Sequence, residues 1–145
     1  LYTHVSLSFP ETMKILFTPA GRGDYLVPVP LDADWFSELP EYKAFILQDP
    51  LALTAASGDF YWQVHRARKH IRKETEKLTM PVLIGLAGQD PISDSVKNGE
   101  WIAQIPSRSK TIIIYQEARH ILEYSSERKN YFRDLAYWLY WMERS

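Results

Sequence analysis

Two residues have the type and setting to do acid–base chemistry. Asp90 lies in Ala87-Gly88-Gln89-Asp90-Pro91-Ile92, and His120 in Gln116-Glu117-Ala118-Arg119-His120-Ile121-Leu122. A carboxylate beside an imidazole accepts a hydrogen bond from one ring nitrogen, which fixes the tautomer and stabilises the imidazolium. The second nitrogen is then free to take a proton from a nucleophile. Each segment follows directly on an apolar run, residues 81–87 before Asp90 and the β-branched residues 111–115 before His120. Functional groups in open α/β sheets gather just beyond the carboxyl ends of the strands. Asp90 and His120 are therefore expected to emerge from neighbouring strands on one edge.

The elements that must position them divide near residue 79. Beyond it the pattern reads strand, helix, strand, helix. Residues 81–87 are continuously apolar, as in a strand buried on both faces. Asp94 or Ser95 caps a helix to about Gln104 with Val96, Ile102 and Ile105 facing inward. Residues 111–115 form the second strand. Ser125 or Ser126 opens a long helix whose stripe is Tyr131, Leu135, Trp138 and Met142, with Phe132, Ala136 and Leu139 beside it in a wide buried face. Strand, helix and strand without a hairpin-length turn predict a parallel, right-handed βαβ unit. Two such strands do not make a sheet that stands alone, so sheet partners are missing from these residues.

Before residue 79 the spacing is helical and the composition rich in aromatics, proline and charge. Residues 12–17 end a helix stopped by Pro19 and Gly21, and residues 24–33, with Pro28 and Pro30, form an extended loop. Short helices are expected over 34–38 and 41–48. Asp49-Pro50 reads as an N-cap with proline at the first helical position. The helix it opens carries Phe60, Val64, Ala67 and Ile71 on one stripe.

The bulk numbers bound the function. At 145 residues and 46% hydrophobic composition, the chain suits one ordinary globular core. A net charge of −1 gives no reason to expect a nucleic-acid partner. Without cysteine there is no disulfide and no thiolate metal site, and a reducing, cytoplasmic location is expected. The longest apolar stretches are too short to span a bilayer.

The two turns also carry a resemblance. Gly88-Gln89-Asp90-Pro91-Ile92 is similar to the G-x-D-x-[IV] turn that holds the acid of α/β-hydrolases. Ala118-Arg119-His120-Ile121-Leu122-Glu123 resembles the G-A-R-H-x-L-E segment of their histidine, and the order, acid then histidine, is that of the fold. More narrowly, the chain resembles the bacterial lysophospholipase and monoacylglycerol-lipase-like branch, the serine aminopeptidase S33 type. Val29-Pro30-Leu31-Asp32-Ala33-Asp34-Trp35-Phe36, Gln48-Asp49-Pro50-Leu51 and the helix that follows look like that group's lid, so the resemblance runs from about Leu16 to the end.

This resemblance implies an α/β fold class, the C-terminal half of an α/β-hydrolase. Residues 1–78 would be the helical lid and residues 79–145 a β-α-β-α part of the core. It implies Asp90 and His120 as catalytic residues of a serine carboxylic-ester hydrolase acting on lysophospholipids or monoacylglycerols, with no cofactor and no metal. Two departures stand against it. Glu117 occupies the place of the family's Gly, and neither G-x-S-x-G nor an oxyanion-hole segment occurs. In the family those elements lie ahead of the lid, and the chain opens on Leu rather than Met. The expected partner is thus a missing N-terminal half of the same protein. Alone, the chain is expected to be inactive and, with sheet edges open, to form a homo-oligomer. The competing class is a non-catalytic binding or dimerisation module on a hydrolase scaffold. Peptide or haloalkane cleavage on the same fold is a third reading.

Other candidates have plainer readings. Asp94 competes with Asp90, but its place ahead of a helix assigns it to capping. Glu123 either orients the histidine loop or is an ordinary exposed carboxylate. His65 and His70 sit on a charged helix without metal-ligand spacing, and Arg66 to Lys73 reads as a solvated face because Glu74 and Glu76 follow. Tyr131, Tyr137, Trp138, Tyr140 and Trp141 read mostly as core of the last helix. Trp35, Phe36, Phe60, Tyr61 and Trp62 either line an acyl pocket or pack lid helices together.

Overall fold

The strand-forming runs pair as their composition demands. In the computed structural model, which describes residues 2–4, 6–17, 25–29 and 32–144 (for Leu16 the backbone only), β3 (Val82–Ala87) and β4 (Lys110–Tyr115) form a parallel pair. Val82 stands opposite Lys110 and Ala87 opposite Tyr115, so both strands end level. Between them runs α5 (Ser95–Ala103), and after β4 a single 3₁₀ turn (Leu122–Tyr124) leads into α6 (Arg128–Met142). The fold class is α/β, a mixed helix-and-strand arrangement in which β-α-β-α follows a mainly helical first part.

That first part contains α1 (Phe9–Phe17), β1 (Leu26–Pro28), α2 (Ala33–Phe36), α3 (Pro40–Gln48), β2 (Ala55–Ser57) and α4 (Gly58–Glu74). β1 and β2 pair antiparallel, so part of the expected 24–33 loop is a strand. Extended, proline-flanked backbone is ready for such pairing, and Val29 N–H extends it to Thr54 C=O at 2.9 Å. Pro19, Gly21, Pro30 and Leu31 lie outside the described residues.

Asp49-Pro50 does not open α4. Its aspartate ends α3 instead and takes the Leu51 N–H at 2.9 Å, a local turn that Asp favours as much as capping. Ser57 caps α4, accepting the Phe60 N–H at 3.1 Å. Gly58 then permits the close passage of Tyr25, whose ring would stand 2.5 Å from any Cβ at that position. The stripe of α4 is also turned from its expected position. Tyr61, Val64, Arg68 and Thr75 face inward, while Phe60 is 50% and Ile71 36% exposed. Gly58 and Thr75 are buried at the two ends of the helix, and Arg68 is half-buried with Tyr61 and Val64 on the groove they line.

In the second part, Asp94 caps α5, and Ile102 and Ile105 are buried as expected. Val96 is not: it is exposed in the first turn, on the side away from β3 and β4. The serines at 125 and 126 do not open α6. Ser125 turns its hydroxyl back to Leu122 C=O at 2.9 Å, Ser126 donates its N–H to Glu38, and the helix begins at Arg128. Only one face of β4 is covered. Thr111, Ile113 and Tyr115 point inward, whereas Ile112 and Ile114 are exposed, so the expectation of strands buried on both faces is not met within this chain. On α6 the main stripe is half-buried, but Phe132 and Leu139 beside it are open. The core around the strand ends is Ala87, Tyr115 and Ala118, packed by Ile113, Leu122 and Tyr131.

Candidate active site

The two strand ends are locked together before any side chain of the site is placed. Gly88 N–H donates to Tyr115 C=O at 2.8 Å, and Gln89 N–H to Ala118 C=O at 3.0 Å. So close are the backbones that a Cβ on Gly88 would lie 2.5 Å from the Gln116 carbonyl oxygen. This close approach is why Gly stands at 88. Gln89 Nε2 donates to Glu117 Oε2 at 3.0 Å, and the Glu117 N–H is taken by Glu127 at 2.8 Å. Glu117, where the resemblance expected Gly, thus ties the two turns together.

Asp90 and His120 meet across this junction. His120 Nδ1 lies 3.0 and 3.1 Å from the two Asp90 carboxylate oxygens. Asp90 Oδ1 also accepts the N–H groups of Ile92 at 2.8 Å and Ser93 at 2.9 Å. Burial alone would push this carboxyl up. The His120 hydrogen bond, the Ser93 and Ile92 amides and the imidazole's charge outweigh it and hold Asp90 below the usual carboxylate range. An ionised carboxylate has no proton to give, so Nδ1–H is the donor and Nε2 is left as the acceptor. The Asp90 side chain is 7% exposed and that of His120 33%, so the carboxylate is sheltered while the imidazole reaches solvent.

Helix α2 holds the histidine loop from the other side. His120 N–H donates to Trp35 C=O at 3.2 Å and Ile121 N–H to Phe36 C=O at 3.0 Å. The Arg119 guanidinium reaches Asp34 C=O, and the Phe36 ring meets the imidazole edge-on at 6.0 Å. Just beyond, Ser37 is fully buried and donates to Tyr124 C=O, while Tyr42 stacks on Tyr124 at 4.6 Å. The acid turn has its own brace. Residues 2–4 run beside it, with His4 N–H on Ile92 C=O at 2.8 Å and a bridge from Thr3 to Ser93. Asn98, buried in α5, holds both the N–H and the C=O of Tyr2. None of these backbone grips was foreseen from sequence. An Asn within a helix was the one available hint.

The remaining candidates fall elsewhere. Asp94 accepts the Lys97 N–H at 2.9 Å as the cap of α5. Glu123 takes the Tyr131 hydroxyl at 3.4 Å. His65 stacks on Trp62 within α4, and among the described residues no group of His, Cys, Asp and Glu is placed to hold a metal ion. Phe60, Tyr61 and Trp62 line a groove of about 510 Å³ between α1 and α4, together with Ile15, Val29 and Ile92. Ile92 comes two residues after Asp90. Trp35 and Phe36 are not in that groove; they lie in α2, against the histidine loop. On α6, Tyr137, Tyr140 and Trp141 are exposed, whereas Tyr131 and Trp138 are half-buried.

A paired acid and imidazole at the carboxyl ends of adjacent parallel strands, under a helical segment, define an α/β-hydrolase fold. Solved structures agree. The monoacylglycerol lipase of Paleococcus ferrophilus superposes with a TM-score of 0.82 at 22% identity, over 96% of this chain and 54% of that one. A soluble variant of monoglyceride lipase from Saccharomyces cerevisiae, in complex with a substrate analog, superposes with a TM-score of 0.70 at 23% identity, over 90% of this chain and 46% of that one. The chain therefore spans about half the length of these structures. No curated protein sequence matches. The family described as serine aminopeptidase, S33, matches residues 5–127, and the chain belongs to that family.

Proposed function

We propose that the chain supplies the acid and the base of a serine hydrolase of carboxylic esters, with monoacylglycerols or lysophospholipids as substrates. The observation that carries this reading is the bond between His120 Nδ1 and a buried, ionised Asp90. In this mechanism a serine hydroxyl gives its proton to His120 Nε2 while attacking the ester carbonyl. The imidazolium that forms is stabilised by Asp90, which stays ionised throughout. His120 then returns the proton to the leaving alcohol, and in the second half-reaction activates the water that releases the fatty acid. The apolar groove between α1 and α4 would shelter the acyl chain, and its lipase-like neighbours support the choice of substrate.

No G-x-S-x-G occurs in these 145 residues, so the reading assigns the nucleophile and the oxyanion hole to a further segment of the same protein. That segment is also the proposed cover for the exposed faces of β4 and α6. The test compares two preparations on a chromogenic acyl ester. The 145-residue chain should be silent and the gene's full product active. Turnover by the 145-residue chain that disappears in His120→Ala would overturn this division of labour.

A further inference from the structure

One side chain on the groove between α1 and α4 is out of keeping with its walls. At about 100° per residue, Tyr61, Val64, His65 and Arg68 share an arc of about 100° on α4. All four line the groove, as do the apolar Ile15 and Ile92. Arg66, Lys69, Arg72 and Lys73 of the same helix are exposed, whereas Arg68 is half-buried. A guanidinium keeps its proton under all ordinary conditions, so a sheltered one needs an anion or an acceptor to answer its charge.

Nothing described in the chain answers this one. Among the described residues the Arg68 guanidinium makes no ion pair and no hydrogen bond, and no carboxylate lines the groove. Other arginines are met: Arg119 by Asp34 C=O, and Arg72 by the face of the Tyr2 ring at 4.5 Å. Burial first and the charge of Glu11 second push the Tyr61 hydroxyl up, so Glu11 of α1 is within electrostatic reach of the groove. Its carboxylate is nonetheless held elsewhere, by the Ser8 N–H at 3.0 Å and the Ser8 hydroxyl at 2.6 Å.

We propose that Arg68 is a specificity-determining residue, by which the groove selects single-chain amphiphiles that carry a phosphate over uncharged ones of the same chain. The guanidinium fork can donate to two phosphate oxygens at once. The apolar walls take the chain, and partial shelter from water strengthens the charged contact. Ile92, two residues from Asp90, brings one wall of this groove to the acid turn. A free phosphate ion is the weaker occupant, because it leaves those walls uncovered. The inference rests on the hydrolase reading and deepens it: of the two substrate classes named there, it favours the phosphorylated one.

The experiment is calorimetric titration of the gene's full product with three probes. They are an ether-linked dodecylglycerol phosphate, the uncharged dodecylglycerol ether and inorganic phosphate, with both lipids kept below their micelle concentrations. The phosphate-bearing ether should bind about ten- to a hundredfold more tightly than the uncharged one, as a charge-assisted contact supplies. Arg68→Met should weaken it to the level of the uncharged ether. The variant should also melt no lower than wild type, because no protein partner is lost. Equal binding of the two ethers by wild type, or a preference that survives in Arg68→Met, would overturn the proposal. So would inorganic phosphate binding as tightly as the phosphate-bearing ether, which would make Arg68 a small-anion site. A fall of several degrees in the melting temperature of Arg68→Met would show that a protein partner already holds the guanidinium, and would overturn it too. An ether is not cleaved by an ester hydrolase, so only binding is read. An inactive protein that still prefers the phosphate-bearing ether would count against the hydrolase reading alone.

Discussion

Replacing Asp90 tests the geometry of the site through stability, without any catalytic readout. Asp90→Ala removes the acceptor of two amide donors, Ile92 N–H at 2.8 Å and Ser93 N–H at 2.9 Å, at a side chain only 7% exposed. Each buried donor left unmet costs about 1–3 kcal/mol. Partial access of water to the turn favours the lower half of that range, giving about 2–4 kcal/mol in all. Asp90→Asn keeps an oxygen for the same amides and loses only the assistance of charge, about 1 kcal/mol. For a domain of this size the alanine variant should melt about 5–12 °C lower and the asparagine variant about 2–4 °C lower. The pH dependence has a definite sign. Because folding depresses the Asp90 pKa, the stabilisation by its charge is complete above the unfolded value of about 3.9 and is lost as pH falls through the folded value. Urea denaturation should therefore find wild type more stable than Asp90→Asn above about pH 5, and the gap should close in more acidic buffer. Equal stabilities at pH 7, or a gap that survives unchanged into acid, would refute the reasoning.

Gly88→Ala should cost about 1–3 kcal/mol, read as a lower urea midpoint, because its methyl would meet the Gln116 carbonyl at 2.5 Å and backbone cannot move aside as a side chain can. The 145-residue chain should self-associate with rising concentration, since Ile112, Ile114, Phe132 and Leu139 leave the sheet and the last helix uncovered. A monodisperse monomer by light scattering would count against that.

Asp90 and His120 were legible because both sit immediately after apolar runs, and the equal ending of β3 and β4 then brings them to one place. The cap at Asp94 was legible for a similar reason, as a short polar side chain ahead of a helical pattern. What escaped was carried by backbone or by choice between equals. The hold of α2 on the histidine loop runs through the Trp35 and Phe36 carbonyls, and every residue has a carbonyl. Asp49-Pro50 suits a turn as well as a cap, and nothing local decides between them. The inward face of α4 was misjudged because counting apolar residues gives no weight to Gly58 and Thr75, which are buried, or to Arg68, which is half-buried. The open faces of β4 and α6 follow no local rule: an apolar residue in a strand or helix reads as buried whether or not these residues supply its cover.

The account turns on His120 as the base of an ester hydrolase, and the most direct measurement is the kcat of the gene's full product on a monoacylglycerol, with and without His120→Ala. Loss of the base should lower kcat by about 10³-fold or more while circular dichroism stays unchanged. A folded His120→Ala protein that turns over within a few-fold of wild type would contradict the assignment.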